Sequence, residues 1–244
     1  MPPAAPSTPP TPSTPRERYR AQVQQEVKQA ALAQIAEGGI EALSINAIAK
    51  TLGMSGPALY KYFRNRDDLL TALISDGYED AAEAIRTAAH HTADRSPRDR
   101  LLALAHAFRD WAVAQPHRYL LLAGTPSATY EAPGHTAESA RAVLGPFMAV
   151  LAEGSPWPAA EPLYDEVRAW IATTPEVATW VAAYAPVADP VPALAATVLA
   201  WTRTHGIVSL EVQGSYKGMG HDPATLLTLE IGTLADATGL ASGT

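Results

Sequence analysis

Two short segments of helical spacing, joined at Gly53, constrain this chain more than any other part of it. Ser44 opens the first, which is expected to run to about Leu52; the second is expected from Ser55 to about Phe63. Ile48 and Leu52 lie four apart on the first, Leu59 and Phe63 four apart on the second, so the two apolar edges can interlock. Gly53 permits the sharp reversal that a Cβ would resist. Two helices joined in this way form a helix-turn-helix. Ser55 is read as the cap of the second helix, with Pro57 in its first turn, where a missing N–H is not needed. With Leu59 and Phe63 turned inward, Gly56, Pro57, Ala58 and Lys61 face out. That face is a poor core and a poor solvated surface. Its small residues suit close approach to the floor of a DNA major groove, thymine methyl groups included.

The rest of the chain also has helical spacing. Val23, Val27, Ala31 and Ile35 recur every four residues, and Gly38-Gly39 supplies the stop. Asn65 is expected to cap one long helix over residues 66–91, with Leu70, Ile74, Tyr78, Ala81 and Ile85 as its apolar stripe. Further helices are expected at about 98–114, 116–123, 136–153, 160–172, 174–185, 190–213 and 223–238, the last opened by Asp222 and Pro223. Residues 124–134 and 154–160, rich in Pro, Gly and Ser, read as loops. No sustained strand alternation occurs, and the expected fold is all-α with about nine or ten helices. Residues 1–15 carry seven Pro and no charge, which reads as a disordered, partly polyproline tail.

Composition narrows the chemistry. The 244 residues suffice for a substantial core, and the absence of Cys excludes disulfides, thiolate catalysis and Cys-ligated zinc. The net charge of −7 argues against a nucleic-acid partner only until its distribution is considered. Residues 16–70 hold eight basic and six acidic side chains, whereas residues 71–244 hold ten and nineteen. The basic surplus is confined to the helix-turn-helix end. Neither a secretory signal nor a spanning segment is read, and a cytoplasmic location is expected. No Gly-rich loop follows a strand, and neither Gly-x-Ser-x-Gly nor His-Glu-x-x-His occurs. His90-His91 and Asp165-Glu166 are adjacent pairs, which a helix points apart. No enzyme activity, cofactor or metal site is therefore expected. The alternative of a helical adaptor for protein partners, without DNA, leaves the Gly-Pro-Ala face without a purpose.

The run Ser44-x-x-x-Ile48-Ala49, Leu52-Gly53-Met54-Ser55, Leu59-Tyr60-x-Tyr62-Phe63 and Asn65-Arg66-x-x-Leu69 resembles the tetracycline-repressor-like (TetR/AcrR) family of bacterial transcriptional regulators. The resemblance implies a three-helix DNA-binding domain over residues 16–66, followed by a larger helical ligand-binding and dimerisation domain over 67–240. It implies that Ser44 and Asn46 touch backbone or bases, with Ser55 beside them at the start of the second motif helix. Gly56, Pro57, Ala58 and Lys61 match base-facing positions; Tyr60, Tyr62 and Arg66 match phosphate-contacting ones. Several family members carry a larger polar side chain at the position of Gly56, which leaves the preferred base there open. Tyrosine hydroxyls and an Arg at a helix N-terminus suit phosphate physically. Arg16, Arg18 and Arg20 form a basic lead-in, either reaching a minor groove or simply solvated.

Further along, Gln115-Pro116-His117-Arg118-Tyr119, Gly124-x-Pro126, Tyr130-x-Ala132-Pro133, Trp201-x-x-x-His205-Gly206 and Leu210-Glu211 resemble the family's tryptophan–histidine–glycine (WHG) subgroup of regulatory domains. That resemblance implies a small-molecule effector without identifying it. Trp201 and His205 share a helix face, and with Trp111, Tyr119 and Trp170 they are the candidate effector contacts, although core packing accounts for each equally well. Residues 190–213 carry an apolar stripe (Leu194, Val198, Trp201, His205, Val208, Val212) beside a smaller-residue face (Ala195, Leu199, Thr202, Gly206, Ser209, Gln213). The last helix adds Leu226, Leu227, Leu229, Ile231 and Leu234, more than one stripe needs. A homodimer through these two helices is expected. It would read a palindromic operator in double-stranded DNA and, as a repressor, be released by the effector.

Overall fold

The computed structural model describes residues 14–124 and 134–241, and is helical in all its regular elements. The helices are α1 Pro15–Gly38, α2 Ile45–Thr51, α3 Gly56–Leu59, α4 Arg66–His91, α5 Pro97–Ala114, α6 Pro116–Ala123, α7 Gly134–Leu151, α8 Glu161–Thr173, α9 Pro175–Tyr184, α10 Val191–Val212 and α11 Pro223–Ala237. Short 3-10 turns lie at Ile40–Ala42 and Pro158–Ala160. Thus eleven α-helices are present among the described residues, where the periodicity suggested nine or ten.

The expected tail lies outside the described residues up to position 13. Thr14 and Pro15 do not belong to it: they start α1. Thr14 accepts from the Glu17 N–H while the Glu17 carboxylate accepts from the Thr14 N–H, a reciprocal capping box with Pro15 at the first helical position. The expected loop over 154–160 contains one 3-10 turn; that over 124–134 lies almost wholly outside the described residues.

The chain divides into two compact units. One holds the described residues up to Gly77 together with residues 117–124 and 134–136; the other holds residues 78–116 and those from Ala137 on. The division falls inside α4.

In the first unit, Val23, Val27, Ala31 and Ile35 of α1 are all buried, as their four-residue recurrence requires. Ile48 of α2, Leu59, Phe63 and Leu69, Leu70, Leu73 and Ile74 of α4 belong to the buried core. Lys28 of α1 pairs with Asp76 of α4 at 2.6 Å, both side chains largely covered. Tyr119 and Leu121 of α6 are buried, and Leu122 packs on Gly77, where a Cβ would stand 3.3 Å from Leu122 Cδ2.

In the second unit, α10 packs against α5, α8 and α11, and α11 also packs on α5. Arg109 of α5 grips Glu211 of α10 with two bonds, at 2.8 and 2.5 Å, and both side chains are more than four-fifths covered. Arg98 of α5 pairs with Asp236 of α11. Met148, Val167, Val177, Trp180, Val181 and Leu194 form an apolar cluster joining α7, α8, α9 and α10. At Gly145 of α7, a Cβ would overlap the ring of Tyr184 from α9, so only glycine allows that ring its place.

Candidate nucleic-acid interface

The helix-turn-helix is built by its caps. Ser44 accepts from the Ala47 N–H at 3.3 Å and so starts α2. At the other end Gly53 adopts φ +65, the Gly53 N–H reaches the Lys50 carbonyl at 3.2 Å, and the Met54 N–H reaches the Ala49 carbonyl at 2.8 Å. Those two bonds are the Schellman closure, and they turn the chain directly into α3. Ser55 occupies the N-cap position of α3, but its hydroxyl makes no capping bond, contrary to the sequence reading. The α-helix also ends at Leu59 rather than Phe63. Beyond it the Lys61 and Tyr62 N–H groups bond three residues back, to Ala58 and Leu59, in a tighter turn.

The outward set is nonetheless arranged as the packing logic requires. Leu59 and Phe63 are buried, whereas Ser55, Pro57, Tyr60 and Lys61 are exposed and Gly56, Ala58 and Tyr62 half-buried. Ser44, the N-cap of α2, and Asn46 in its first turn are exposed as well. Asn46 lies so close to the start of α3 that a Cβ on Gly56 would come within 3.3 Å of its Oδ1. Close approach, not backbone conformation, is what favours glycine here.

Two arginines occupy places that sequence reasoning did not assign. Arg20 donates to the Lys61 carbonyl at 3.3 Å and lies over the Tyr62 ring, 5.7 Å from its centroid. Nothing in the local sequence signals that pairing, which joins residues 41 apart. The Arg66 side chain donates to the carbonyls of Ile40 and Leu43. Asn65 caps α4 as expected, accepting from the Asp68 N–H at 2.7 Å. The Arg64 side chain, with its own N–H, bonds Asp68 and holds that carboxyl below its ordinary range.

In the second unit, Trp201 and His205 stack with ring centroids 4.9 Å apart. Phe108 meets the Trp201 ring edge-on at 5.0 Å and Trp111 at 5.8 Å, bringing three of the candidate effector contacts into one cluster. Phe108 was not singled out from the sequence, although its spacing of three from Trp111 puts both on one face of α5. Burial pushes the His205 imidazole below its ordinary range. Trp170 is 41% exposed on α8, and Tyr119 is fully buried in the first unit, so neither belongs to this cluster. Asp165 and Glu166 are exposed, and Asp165 pairs with Arg168. No group of metal-ligating side chains is found among the described residues, and no helix there is long and apolar enough to cross a membrane.

Known proteins agree with this architecture. Residues 29–73 match the family described as bacterial regulatory proteins, tetR family, and residues 101–234 match the tetracyclin repressor-like, C-terminal domain. The chain is 39% identical over 136 residues to the HTH-type transcriptional regulator Rv1816 of Mycobacterium tuberculosis (strain ATCC 25618 / H37Rv). That match takes in 55% of this chain and 58% of the relative's length. Among solved structures, SCO4313 superposes with a TM-score of 0.75 at 42% identity, covering 91% of this chain and all of that one. A regulatory protein in the tetR family from Rhodococcus RHA1 shares the fold at 16% identity, with a TM-score of 0.58 and 91% and 99% of the two chains covered. The helix-turn-helix at one end, the helical body after it and these matches lead to one conclusion: the chain belongs to the tetR family of bacterial regulatory proteins.

Proposed function

We infer that this protein is a ligand-responsive, sequence-specific DNA-binding repressor that acts as a homodimer in the cytoplasm. The observation that carries the reading is the outward surface at the start of α3. Ser55, Gly56, Pro57, Ala58 and Lys61 offer a low, small-residue surface to base edges, with Ser44 and Asn46 of α2 beside it. Tyr60 and Tyr62 flank it and supply hydroxyl donors for phosphate. Two such surfaces, related by a two-fold axis and about 34–36 Å apart, read a palindrome. The exposed side chains of α10 and α11 supply the dimer contact, and the Phe108, Trp111, Trp201 and His205 cluster supplies an aromatic lining for a small-molecule effector. Release then requires only that the effector bind one of two conformations better than the other.

Selection of bound duplexes from random DNA by the full chain tests this directly. The expected product is a palindrome whose half-sites lie about 10 base pairs, or a multiple of that, apart. Recovery of no common sequence would refute the reading. A metabolite screen against the selected duplex then identifies the effector by loss of DNA binding.

A further inference from the structure

Arg66 opens α4, yet its guanidinium is directed back into the first unit. Nη2 donates to the Ile40 carbonyl at 2.7 Å and Nε to the Leu43 carbonyl at 3.3 Å. These carbonyls bracket the 3-10 turn Ile40–Ala42, which delivers the chain to Ser44, the N-cap of α2. From the α1 side, Gln34 Oε1 accepts from the Ser44 N–H at 3.0 Å. The start of α2 is therefore held between a side chain of α1 and a side chain of α4, while its far end is fixed by the Gly53 closure.

We propose that Arg66 is a positioning residue for operator binding, a clasp that fixes the N-terminus of α2, with Ser44 and Asn46 on it, to the first turn of α4. The proposal rests on the DNA-binding reading above but assigns Arg66 a role other than contact with phosphate. A planar, fork-shaped guanidinium can bridge two carbonyls three residues apart; a lysine ammonium is a point donor that does not reproduce this geometry. A phosphate contact has the opposite chemistry, since a lysine serves it nearly as well. The conservative variant therefore separates the two roles.

The experiment compares the wild type, Arg66→Lys and Arg66→Ala as full chains, in two measurements. The first is amide hydrogen exchange without DNA at Ser44, Ala47 and Ile48, whose N–H groups bond Gln34, the Ser44 hydroxyl and the Ser44 carbonyl. Both variants are expected to speed exchange there about tenfold, as loss of a side-chain clasp implies. The second is binding to the selected palindrome across a salt series. Both variants are expected to bind about tenfold more weakly, with the slope of log K against log salt unchanged. Unchanged exchange, wild-type affinity in Arg66→Lys and a slope reduced by about one in Arg66→Ala would overturn the clasp and restore the phosphate contact. If the wild type binds no duplex, the DNA-binding reading fails by itself, and unchanged exchange in both variants still overturns the clasp.

Discussion

Single residues decide how the α2–α3 surface is shaped. The contact between Gly56 and Asn46 makes them one unit, because a Cβ at 56 would press on Asn46 Oδ1. Gly56→Ala is therefore expected to move the Asn46 amide and to change base preference at the same operator position as Asn46→Ala. Selections on random DNA with each variant and with the double variant check this, and preferences that shift additively at different positions would count against it. The half-buried imidazole of His205 gives a pH dependence whose sign follows from its lowered pKa. In the unfolded chain the group titrates at about 6.5. Between that value and the lower folded one the unfolded state binds more protons, so stability falls as pH falls through this window. His205→Gln should lose less stability than the wild type on going from pH 7 to pH 5, measured as the change in Tm. An equal or larger loss in the variant would show that other groups dominate. At this scale the sequence identified the outward residues but not what Arg66 and Arg20 bond to. Their partners are carbonyls and a ring far along the chain, and no local pattern encodes such pairings.

Elements were legible where burial has a period. The α1 stripe and most of the α4 stripe came through because every buried position recurs at helical spacing. The end of α3 was not legible, because Leu59 and Phe63 keep that spacing while the intervening backbone leaves the α-helix for a tighter turn. Periodicity reports which side faces the core, not which carbonyl receives each N–H. The α7–α9 crossing is a second feature that pattern alone could not show. Gly145 stands under the Tyr184 ring and precedes Pro146, which removes one N–H from the α7 ladder. Gly145→Ala should cost about 1–3 kcal/mol through overpacking, despite alanine's better helix propensity. Urea denaturation measures the loss, and Gly145→Ala with Tyr184→Leu should recover most of it. A neutral or stabilising single variant would contradict the crossing.

For the whole molecule, the two long C-terminal helices carry the expectation of a dimer, and their burial revises which positions test it. Leu227 is fully buried within the chain itself, so a charge there would unfold the body rather than separate one protomer from its partner. Ala195 is likewise buried, not on an open face. Leu229, 61% exposed on α11, and Gly206, exposed on α10 with open space beyond it, are the useful probes. Gly206→Leu and Leu229→Glu should leave the melting temperature of a monomeric sample nearly unchanged while weakening both self-association and operator binding. Sedimentation at micromolar concentration checks this; wild type that stays monomeric and binds one palindrome as a single copy would refute the dimer. The brevity of α3 sets how it melts. Four residues are far below the roughly 12–15 at which an isolated helix becomes marginally stable, so this helix exists only while Leu59 and Phe63 are packed. On warming, the surface that α3 presents is therefore expected to be lost in one step. All five tryptophans lie in the second unit, so their fluorescence follows that unit alone. Operator binding monitored against temperature should therefore fall as a sharp step whose midpoint need not match the tryptophan melt. A gradual decline beginning far below any melting would mean that the surface loosens before the unit that carries it. In a warming cell, the regulator would act as a fuse rather than a dimmer.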